Sequence, residues 1–257
     1  MKLLLHGRYN LVGESTLLAG PEHEGMIDDL TESYEIDYSA GGATQNALRY
    51  VTWVIGADIA SFAGHLSDDF FGRMIQASVK RDGLRTVYTI KKNAPTGTCL
   101  SLISEDRKNR TLIASLGAAA KFTKDDLLLN WFWAEQAAVY YLSGHALAVS
   151  PESAMLLAKE TTRDQFKQKK LVLNVGAPYV CERFSTELKD IFAYVDLVFA
   201  NENQARAFAK MQGYEVRKTR LRICVGGNEC SRVLLSLNPF CEQNMNFASR
   251  ICSKNYY

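Results

Sequence analysis

Tyr38-Ser39-Ala40-Gly41-Gly42-Ala43-Thr44-Gln45-Asn46 marks the point where the chain changes from one periodicity to another. The residues before the glycines, 35–39, read as a short strand. The residues after them, 43–55, place apolar side chains at helical spacing. The stretch therefore predicts a strand, a tight turn and a helix in direct succession, which is the connection from which α/β sheets are built.

The two adjacent glycines allow two interpretations of this turn. Gly41 and Gly42 let the backbone approach a ligand without a clash from Cβ, and the following helix start offers unpaired N–H groups. Asn46 adds a donor and an acceptor in the first helical turn, which suits the hydroxyl groups of a sugar. The alternative is an ordinary strand–helix turn that binds nothing.

Strand and helix patterns alternate on both sides of this junction. Asp68 and Thr123 are predicted to cap two of the helices. Repeated strand–helix units predict an α/β fold, with a mostly parallel, Rossmann-like sheet flanked by helices. The predicted strands are 35–39, 58–64, 137–142, 170–174 and 195–199, and the predicted helices are 22–34, 43–55, 68–81, 123–135, a helix starting at Ser150, 182–192 and 202–211.

Three consecutive strands interrupt the alternation, at 86–90, 98–104 and 110–115. They predict a small separate sheet that covers a site as a lid. We therefore divide the chain into three parts. These are a small β lid at 1–20, 36–41 and 86–115, an incomplete α/β core at 21–35, 42–85 and 116–215, and a divergent C-terminal tail at 216–257.

Composition excludes several classes of protein. The formal net charge of +2 is too balanced to indicate a nucleic-acid or acidic-membrane partner. No apolar run reaches the roughly 18 residues of a membrane span, and no signal peptide is read at the start. The six cysteines show no zinc spacing and are interpreted as free thiols in a reducing compartment. We expect a cytoplasmic protein, with the nucleus as an additional location.

The predicted lid carries an arginine and an alternating apolar face. Arg110 begins a strand that is otherwise apolar, where a guanidinium can reach an oxyanion. Leu112, Ala114 and Leu116 alternate and would form an apolar wall. The alternative is an ordinary hairpin with a surface arginine.

Two polar features follow buried strands in the second half of the chain. Asn201-Glu202-Asn203-Gln204 comes at the carboxyl end of a predicted strand, where open α/β sheets bind ligands. The alternative for Asn201 is a helix cap. His145 could face a pocket, but the favoured interpretation is a histidine that is hydrogen-bonded within the protein or exposed to solvent.

In their order along the chain, these motifs resemble the adenosine kinases, a branch of the ribokinase-like (PfkB) kinases. The resemblance covers about residues 5–215, and Gly-Gly-x-Thr-Gln-Asn with Pro-Thr-Gly-Thr-Cys distinguishes the adenosine branch from the sugar kinases. It implies a ribokinase-like fold with a small β lid. It also implies transfer of the ATP γ-phosphate to the ribose 5′-hydroxyl of adenosine, with Mg²⁺ and as a monomer. The matching runs are 38–46, 95–99, 109–114, 149–153 and 194–196.

The resemblance also implies roles for individual residues. Arg110 would meet the transferred phosphate, and Asn201 and Gln204 would occupy the Mg²⁺/phosphate network of an Asn-x-x-Glu motif. No direct metal ligand is assigned. The ribose would be held by Gly41, Gly42 and Asn46, and the adenine pocket would be lined by Leu18, Cys99, Leu112, Ala114 and Leu116.

The chain departs from the family pattern in four places. It is expected to lack the initial Gly-Asn-Pro-x-x-Asp strand that grips the ribose. The aromatic pair that stacks on adenine corresponds to His145 and Ala146, and the last position of Asn-x-x-Glu is Gln204. Gly-Ala-Gly-Asp, which supplies the general base and the anion hole, does not occur in the 257 residues.

These departures predict impaired or absent catalysis. The divergent tail is typical of a truncated or mis-spliced product. We also expect poor stability, because an incomplete sheet exposes its edges and exposed edges favour aggregation. Two alternatives to an active kinase stay open. One is a non-catalytic nucleoside-binding fragment, and the other is an interaction partner, for instance of a full-length kinase.

Overall fold

The computed structural model describes residues 9, 16–23, 25–103, 110–163, 169–213 and 232–235. The chain divides into two compact units, Met1–Phe122 and Thr123–Tyr257. We call them the first unit and the second unit. Most of the divergent tail at 216–257 lies outside the described residues.

The elements of the first unit are β1 (Thr16–Leu18), α1 (Met26–Ser33), α2 (Ala43–Ile55), β2 (Ser61–Leu66), α3 (Phe70–Arg81), β3 (Arg85–Ile90), β4 (Thr98–Ile103) and β5 (Arg110–Ser115), with short 3-10 helices at Pro21–His23 and Gly117–Lys121. Its described residues form two sheets. The lid sheet has three strands in the order β1-β5-β4, with β1 parallel and β4 antiparallel to β5. The other sheet pairs β2 with β3 in parallel.

Sheet pairing corrects two parts of the predicted lid. β3 was expected to join the lid, but it pairs with β2 from Ser61↔Arg85 to Leu66↔Ile90. The segment 35–42 was expected to include a strand, and it has no regular structure. The physical reason is that alternation within a strand does not identify its neighbour, which tertiary packing selects.

One face of the lid sheet packs against α1. Met26 and Leu30 of α1 are buried against Ile113 of β5. Leu17, Ile113 and Leu100 are cross-strand neighbours, so they share this face. The opposite face of the sheet, which carries the predicted wall, is left out of this small core.

Helix α3 is capped one residue later than the sequence suggests. Asp69, rather than Asp68, is the N-cap, and its side chain accepts a hydrogen bond from the backbone N–H of Gly72. Asp68 is exposed and pairs with Arg73 instead. Both neighbours are good capping residues, so only the backbone conformation at the helix start decides between them.

The elements of the second unit are α4 (Lys124–Leu129), α5 (Trp131–Gln136), β6 (Val139–Ser143), α6 (Gly144–Val149), α7 (Pro151–Arg163), β7 (Lys170–Asn174), α8 (Pro178–Arg183), α9 (Ser185–Phe192), β8 (Leu197–Asn201), α10 (Glu202–Met211) and β9 (Arg232–Leu235). In the part of this unit that the structure describes, the strands form one sheet in the order β6-β7-β8-β9. Strands β6, β7 and β8 are parallel, and β9 is antiparallel to β8.

The predicted helices of the second unit are confirmed in position but not always in continuity. Thr123 caps α4 through a capping box with Asp126, as expected. The helix predicted at 123–135 is interrupted at Asn130, and the helix predicted at 182–192 is preceded by α8 and starts at Ser185. Helix α6 was not predicted, because its Gly144 and short length leave little periodicity to detect.

The core of the second unit forms where strands and helices meet. Leu171, Leu173 and Val198 of the strands are fully buried, as are Leu188 and Ile191 of α9. Fully buried parallel strands require apolar side chains on both faces. These strands hold the carboxyl ends of β6, β7 and β8 side by side.

Candidate functional site

The Gly-Gly turn has the open backbone that the sequence suggested. Gly42 is the N-cap of α2 with φ +99° and ψ 118°, a conformation that L side chains rarely adopt. A Cβ placed on Gly41 would meet no atom within 4 Å. The two glycines therefore have different roles. Gly42 permits the backbone conformation of the turn, and Gly41 leaves the space next to the turn without a side chain.

Gln45 fixes the carbonyl of this turn. Its side chain is 3% exposed, and its Nε2 donates to the Gly41 oxygen at 2.9 Å. The Tyr88 hydroxyl of β3 donates to Gln45 Oε1. Burial raises the pKa of Tyr88, against the opposing effect of the Arg49 charge, so the phenol stays protonated and can donate. The Gly41 carbonyl is thus held by a chain of hydrogen bonds that reaches β3.

Arg49 supports the same turn from the other side. Its Nη1 donates to the Ala40 oxygen at 3.1 Å and to Asn46 Oδ1 at 3.0 Å, and its Nε pairs with Asp82 at 2.5 Å. Sequence reasoning missed Arg49 and Gln45. The available signal was their helical spacing, since Gln45 lies four residues after Gly41 and Arg49 three residues after Asn46.

Asn46 is exposed at the start of α2, as its predicted role requires. Its Oδ1 accepts from Arg49, and its backbone N–H donates to the Gly42 oxygen at 2.8 Å. The side chain is therefore oriented by a cation before any ligand binds. The structure brings Gly41, Gly42 and Asn46 together within one helical turn.

The predicted apolar wall exists as a row across the lid sheet. Leu18 of β1 lies opposite Ala114 of β5, and Ala114 lies opposite Cys99 of β4. Cross-strand neighbours share a face, and Leu112 joins them because it lies two residues before Ala114 on the same strand. Leu116 follows the strand and precedes the 3-10 helix. The row uses the face of the sheet that α1 does not cover.

Arg110 and Cys99 complete the lid's candidate residues. Arg110 is exposed at the first position of β5, on the same side of the strand as Leu112 by alternation. Burial raises the pKa of the Cys99 thiol, opposed by a hydrogen bond from the Ile113 backbone and by the Arg110 charge. Cys99 therefore presents a neutral thiol, which suits an apolar wall.

Asn201 and Gln204 form a capping box at the start of α10, so their side-chain oxygens are already hydrogen-bonded. Asn201 Oδ1 accepts from the Gln204 N–H at 2.9 Å, and Gln204 Oε1 accepts from the Asn201 N–H at 3.0 Å. Gln204 Nε2 also donates to the Gly176 carbonyl. A carboxylate could not make this last bond, so the amide at position 204 adds a contact between α10 and the β7–α8 loop.

His145 lies in the first turn of α6, directly after β6, and its ring is hydrogen-bonded within the protein. Its Nδ1 lies 2.8 Å from the Tyr179 hydroxyl, and the two rings are in contact. Burial lowers the pKa of His145, so the imidazole is neutral near pH 7. Ala146 beside it offers no aromatic surface, as the sequence indicated.

Within the described ranges, no three His, Cys, Asp or Glu side chains form a group suited to a metal ion. No helix among these residues has the length and apolar character needed to cross a membrane. A surface depression of about 380 Å³ in the first unit is lined by residues that include Asp58, Lys80 and Arg85. It lies by the amino ends of β2 and β3, and it contains none of the candidate residues.

Comparison with known proteins identifies relatives along most of the chain. Residues 12–226 match the family described as pfkB family carbohydrate kinase. Adenosine kinase 2 of Arabidopsis thaliana is 32% identical over 212 residues, covering 81% of this chain and 60% of the relative. Adenosine kinase of Schizosaccharomyces pombe is 31% identical, covering 80% and 59%. The chain thus spans about 60% of the length of these curated relatives.

Solved structures agree with the sequence relatives. The crystal structure of Anopheles gambiae adenosine kinase superimposes with a TM-score of 0.77 at 33% identity, covering 82% of this chain and 62% of that one. Adenosine kinase from Schistosoma mansoni in complex with adenosine and AMP gives a TM-score of 0.74 at 26% identity, covering 82% and 62%. The predicted α/β, ribokinase-like fold is therefore confirmed. Together with the match over residues 12–226, this shows that the chain belongs to the pfkB family of carbohydrate kinases.

Proposed function

We propose that this chain derives from an adenosine kinase, keeps the nucleoside-binding surfaces of the first unit, and has little or no phosphotransferase activity. The observation that carries the proposal is the row of Leu18, Ala114 and Cys99 across the lid sheet. This apolar row lies on the face of the lid sheet that α1 does not cover, and such a surface suits a purine base, whose faces are apolar. The relatives named above are adenosine kinases.

The proposal gives each candidate residue a task. Gly41, Gly42 and Asn46 would hold the ribose hydroxyls, because the turn offers open backbone and an oriented amide. The wall of Leu18, Cys99, Leu112, Ala114 and Leu116 would cover the adenine. Arg110, exposed at the start of β5, would meet the phosphate.

ATP and Mg²⁺ belong to the family's reaction, and the described residues fit them poorly. Mg²⁺ prefers carboxylate oxygens, but Glu202 pairs with Arg206, and the side-chain oxygens of Asn201 and Gln204 already accept backbone N–H groups. Gly-Ala-Gly-Asp, with its anion hole and general base, does not occur in the sequence. We therefore derive no catalytic step through either group in this chain.

Calorimetric titration with adenosine tests the proposal, with Gly41→Ala as the informative variant. Wild-type chain is expected to bind adenosine, and Gly41→Ala to bind it at least about fivefold more weakly, since a new methyl group would occupy the space kept for the ribose. Stability should not change, because a Cβ on Gly41 meets no protein atom within 4 Å. Thermal unfolding of both proteins checks this.

Adenine without its sugar is the matched control ligand. Its affinity should be the same for wild type and Gly41→Ala, because the wall and not the turn would bind the base. Absence of heat with millimolar adenosine would remove the binding proposal. Equal adenosine affinity in both proteins would remove the role of the turn.

A second candidate, interaction with another chain, is favoured by the surface of α2. This helix buries the polar side chains of Gln45 and Thr52, while Trp53 is 78% exposed and Ile55 is 66% exposed. Exposed apolar groups of this size mark interaction surfaces or aggregation hazards. The first proposal expects a monomer of 28.7 kDa in light scattering. A larger mass that Trp53→Ser reduces would instead support the interaction.

A further inference from the structure

Two strands of the lid sheet, β4 and β5, join the rest of the first unit through a compact junction. The chain enters the lid from β3 through residues 91–97 and leaves β5 at Leu116 and Gly117. The two crossings are tied together, because the Ala118 N–H donates to the Pro95 oxygen at 2.7 Å. The orientation of the apolar wall therefore depends on what anchors this junction as well as on the packing of the lid sheet against α1.

Asp69 anchors the junction with two different oxygens. Oδ1 accepts from the Gly72 N–H in the first turn of α3 at 2.7 Å, and Oδ2 accepts from the Thr96 N–H at 2.7 Å. Thr96 is 3% exposed, and its Oγ1 in turn accepts from the Ser67 N–H at 2.9 Å. One carboxylate thus connects α3 and the end of β2 to the segment that leads into the lid.

Glycines allow the backbones at this junction to approach closely. A Cβ on Gly72 would lie 2.1 Å from the Ser67 oxygen, and a Cβ on Gly117 would lie 2.2 Å from the Pro95 oxygen. A Cβ on Gly97 would lie 2.6 Å from the Leu116 oxygen. Such spacing requires glycine at these three positions.

The carboxylate is held in its ionised form. Burial acts to raise the pKa of Asp69, but hydrogen bonds from Thr96 and Gly72, with the Arg73 charge, together lower it. An ionised carboxylate has two acceptor oxygens and no donor, as the two N–H groups require.

We propose that Asp69 is a positioning residue, which sets the orientation of the lid's apolar wall relative to the Gly41–Gly42 turn. Its bond to Thr96 acts on the lid, whereas its bond to Gly72 only caps α3. The consequence for nucleoside binding rests on the function proposed above. The anchoring of the lid does not, because it can be measured without ligand.

Asp69→Asn separates the two bonds. Asparagine is as good an N-cap as aspartate, so its oxygen can keep the Gly72 bond. Its NH₂ group would then face the Thr96 N–H, and two donors cannot bond. Asp68→Asn is the matched control, because it removes the charge of the neighbouring carboxylate, which is exposed. The side-chain Oδ1 and the backbone oxygen of Asp68 both accept from Arg73.

Hydrogen exchange of the ligand-free full chain is the first measurement. In Asp69→Asn, amides at Thr96 and Gly97 should exchange at least about tenfold faster, while those of α3 and of the second unit keep their wild-type rates. Asp68→Asn should match wild type throughout. Unchanged exchange at Thr96 would overturn the proposal, and so would faster exchange spread equally over α3 and both units. Either result would show that Asp69 acts only as the N-cap of α3.

Adenosine titration is the second measurement. Asp69→Asn should weaken adenosine binding by about fivefold or more with adenine and adenosine affected together, since the whole wall shifts. This pattern differs from that of Gly41→Ala, which spares adenine. Faster exchange at Thr96 with unchanged adenosine affinity would overturn the positioning role while leaving the anchor. A wild-type chain that binds no adenosine would remove the proposed function and leave the exchange result to decide on the anchor.

Discussion

Adenosine incubated with ATP, Mg²⁺ and the 257-residue chain is expected to give AMP at least about 10⁴-fold more slowly than with a full-length adenosine kinase. A general base contributes roughly 10²–10⁴ to a rate, and each donor of an anion hole roughly 10²–10³. By the family resemblance both belong to Gly-Ala-Gly-Asp, which does not occur in this chain. Phosphoryl transfer depends on positioning and charge stabilisation, so their joint loss leaves little to replace them.

A coupled assay for ADP, with direct detection of AMP, measures this rate. The kinase of Schizosaccharomyces pombe, a full-length relative, serves as the positive control under the same conditions. Arg110→Met is the informative variant, because any residual AMP formed at the proposed site should fall further when the phosphate contact is removed. A rate of AMP formation within tenfold of that of the control enzyme would contradict the proposal that this chain is inactive.

Replacing Lys169 by methionine is expected to lower the free energy of unfolding of the second unit by about 3 kcal/mol. Lys169 is 7% exposed, and its ammonium donates to the carbonyls of Ala134 and Glu135 and to the Tyr140 hydroxyl. Glu160, whose side chain is also mostly buried, lies 4.0 Å away. Methionine fills a similar volume but removes the three hydrogen bonds of the ammonium, while Glu160 keeps Arg163 at 3.3 Å.

Urea unfolding followed by tryptophan fluorescence measures the change. Trp131 and Trp133 lie on α5, the helix whose final carbonyls Lys169 binds, so they report on the second unit. Lys170→Met is the adjacent control. Lys170 is half exposed and pairs with Asp196 at the surface, so its loss should cost less than about 1 kcal/mol. Equal effects of the two variants would show that the buried ammonium adds no stability.

The same buried lysine shows why sequence patterns leave some anchors unseen. Lys169 stands next to a strand predicted correctly at 170–174, yet nothing in the pattern distinguishes it from Lys170. Its partners come from α5, β6 and α7, which meet only after folding. A lysine is expected to be exposed unless such partners collect around it.

By itself, the sequence determined the features that depend on residues close along the chain. Helix α2 is found at Ala43–Ile55 and β5 at Arg110–Ser115, as predicted. The alternation along β5 also predicted that Leu112 and Ala114 share a face, because side chains two residues apart on a strand must do so, whereas Leu116 lies beyond the strand. The Thr123 cap was found for the same reason, since its bond reaches only three residues ahead.

Tertiary structure alone decided the features that join distant segments. Strand β3 pairs with β2 and not with the lid sheet, and Asp69, not Asp68, accepts from the Thr96 N–H. Gln204 donates to the Gly176 carbonyl. Tertiary structure also brought the Tyr88 hydroxyl to Gln45 and Asp82 to Arg49. The physical reason is common to all: a hydrogen-bond partner dozens of residues away leaves no periodic signal, and packing decides which of several capable side chains meets it.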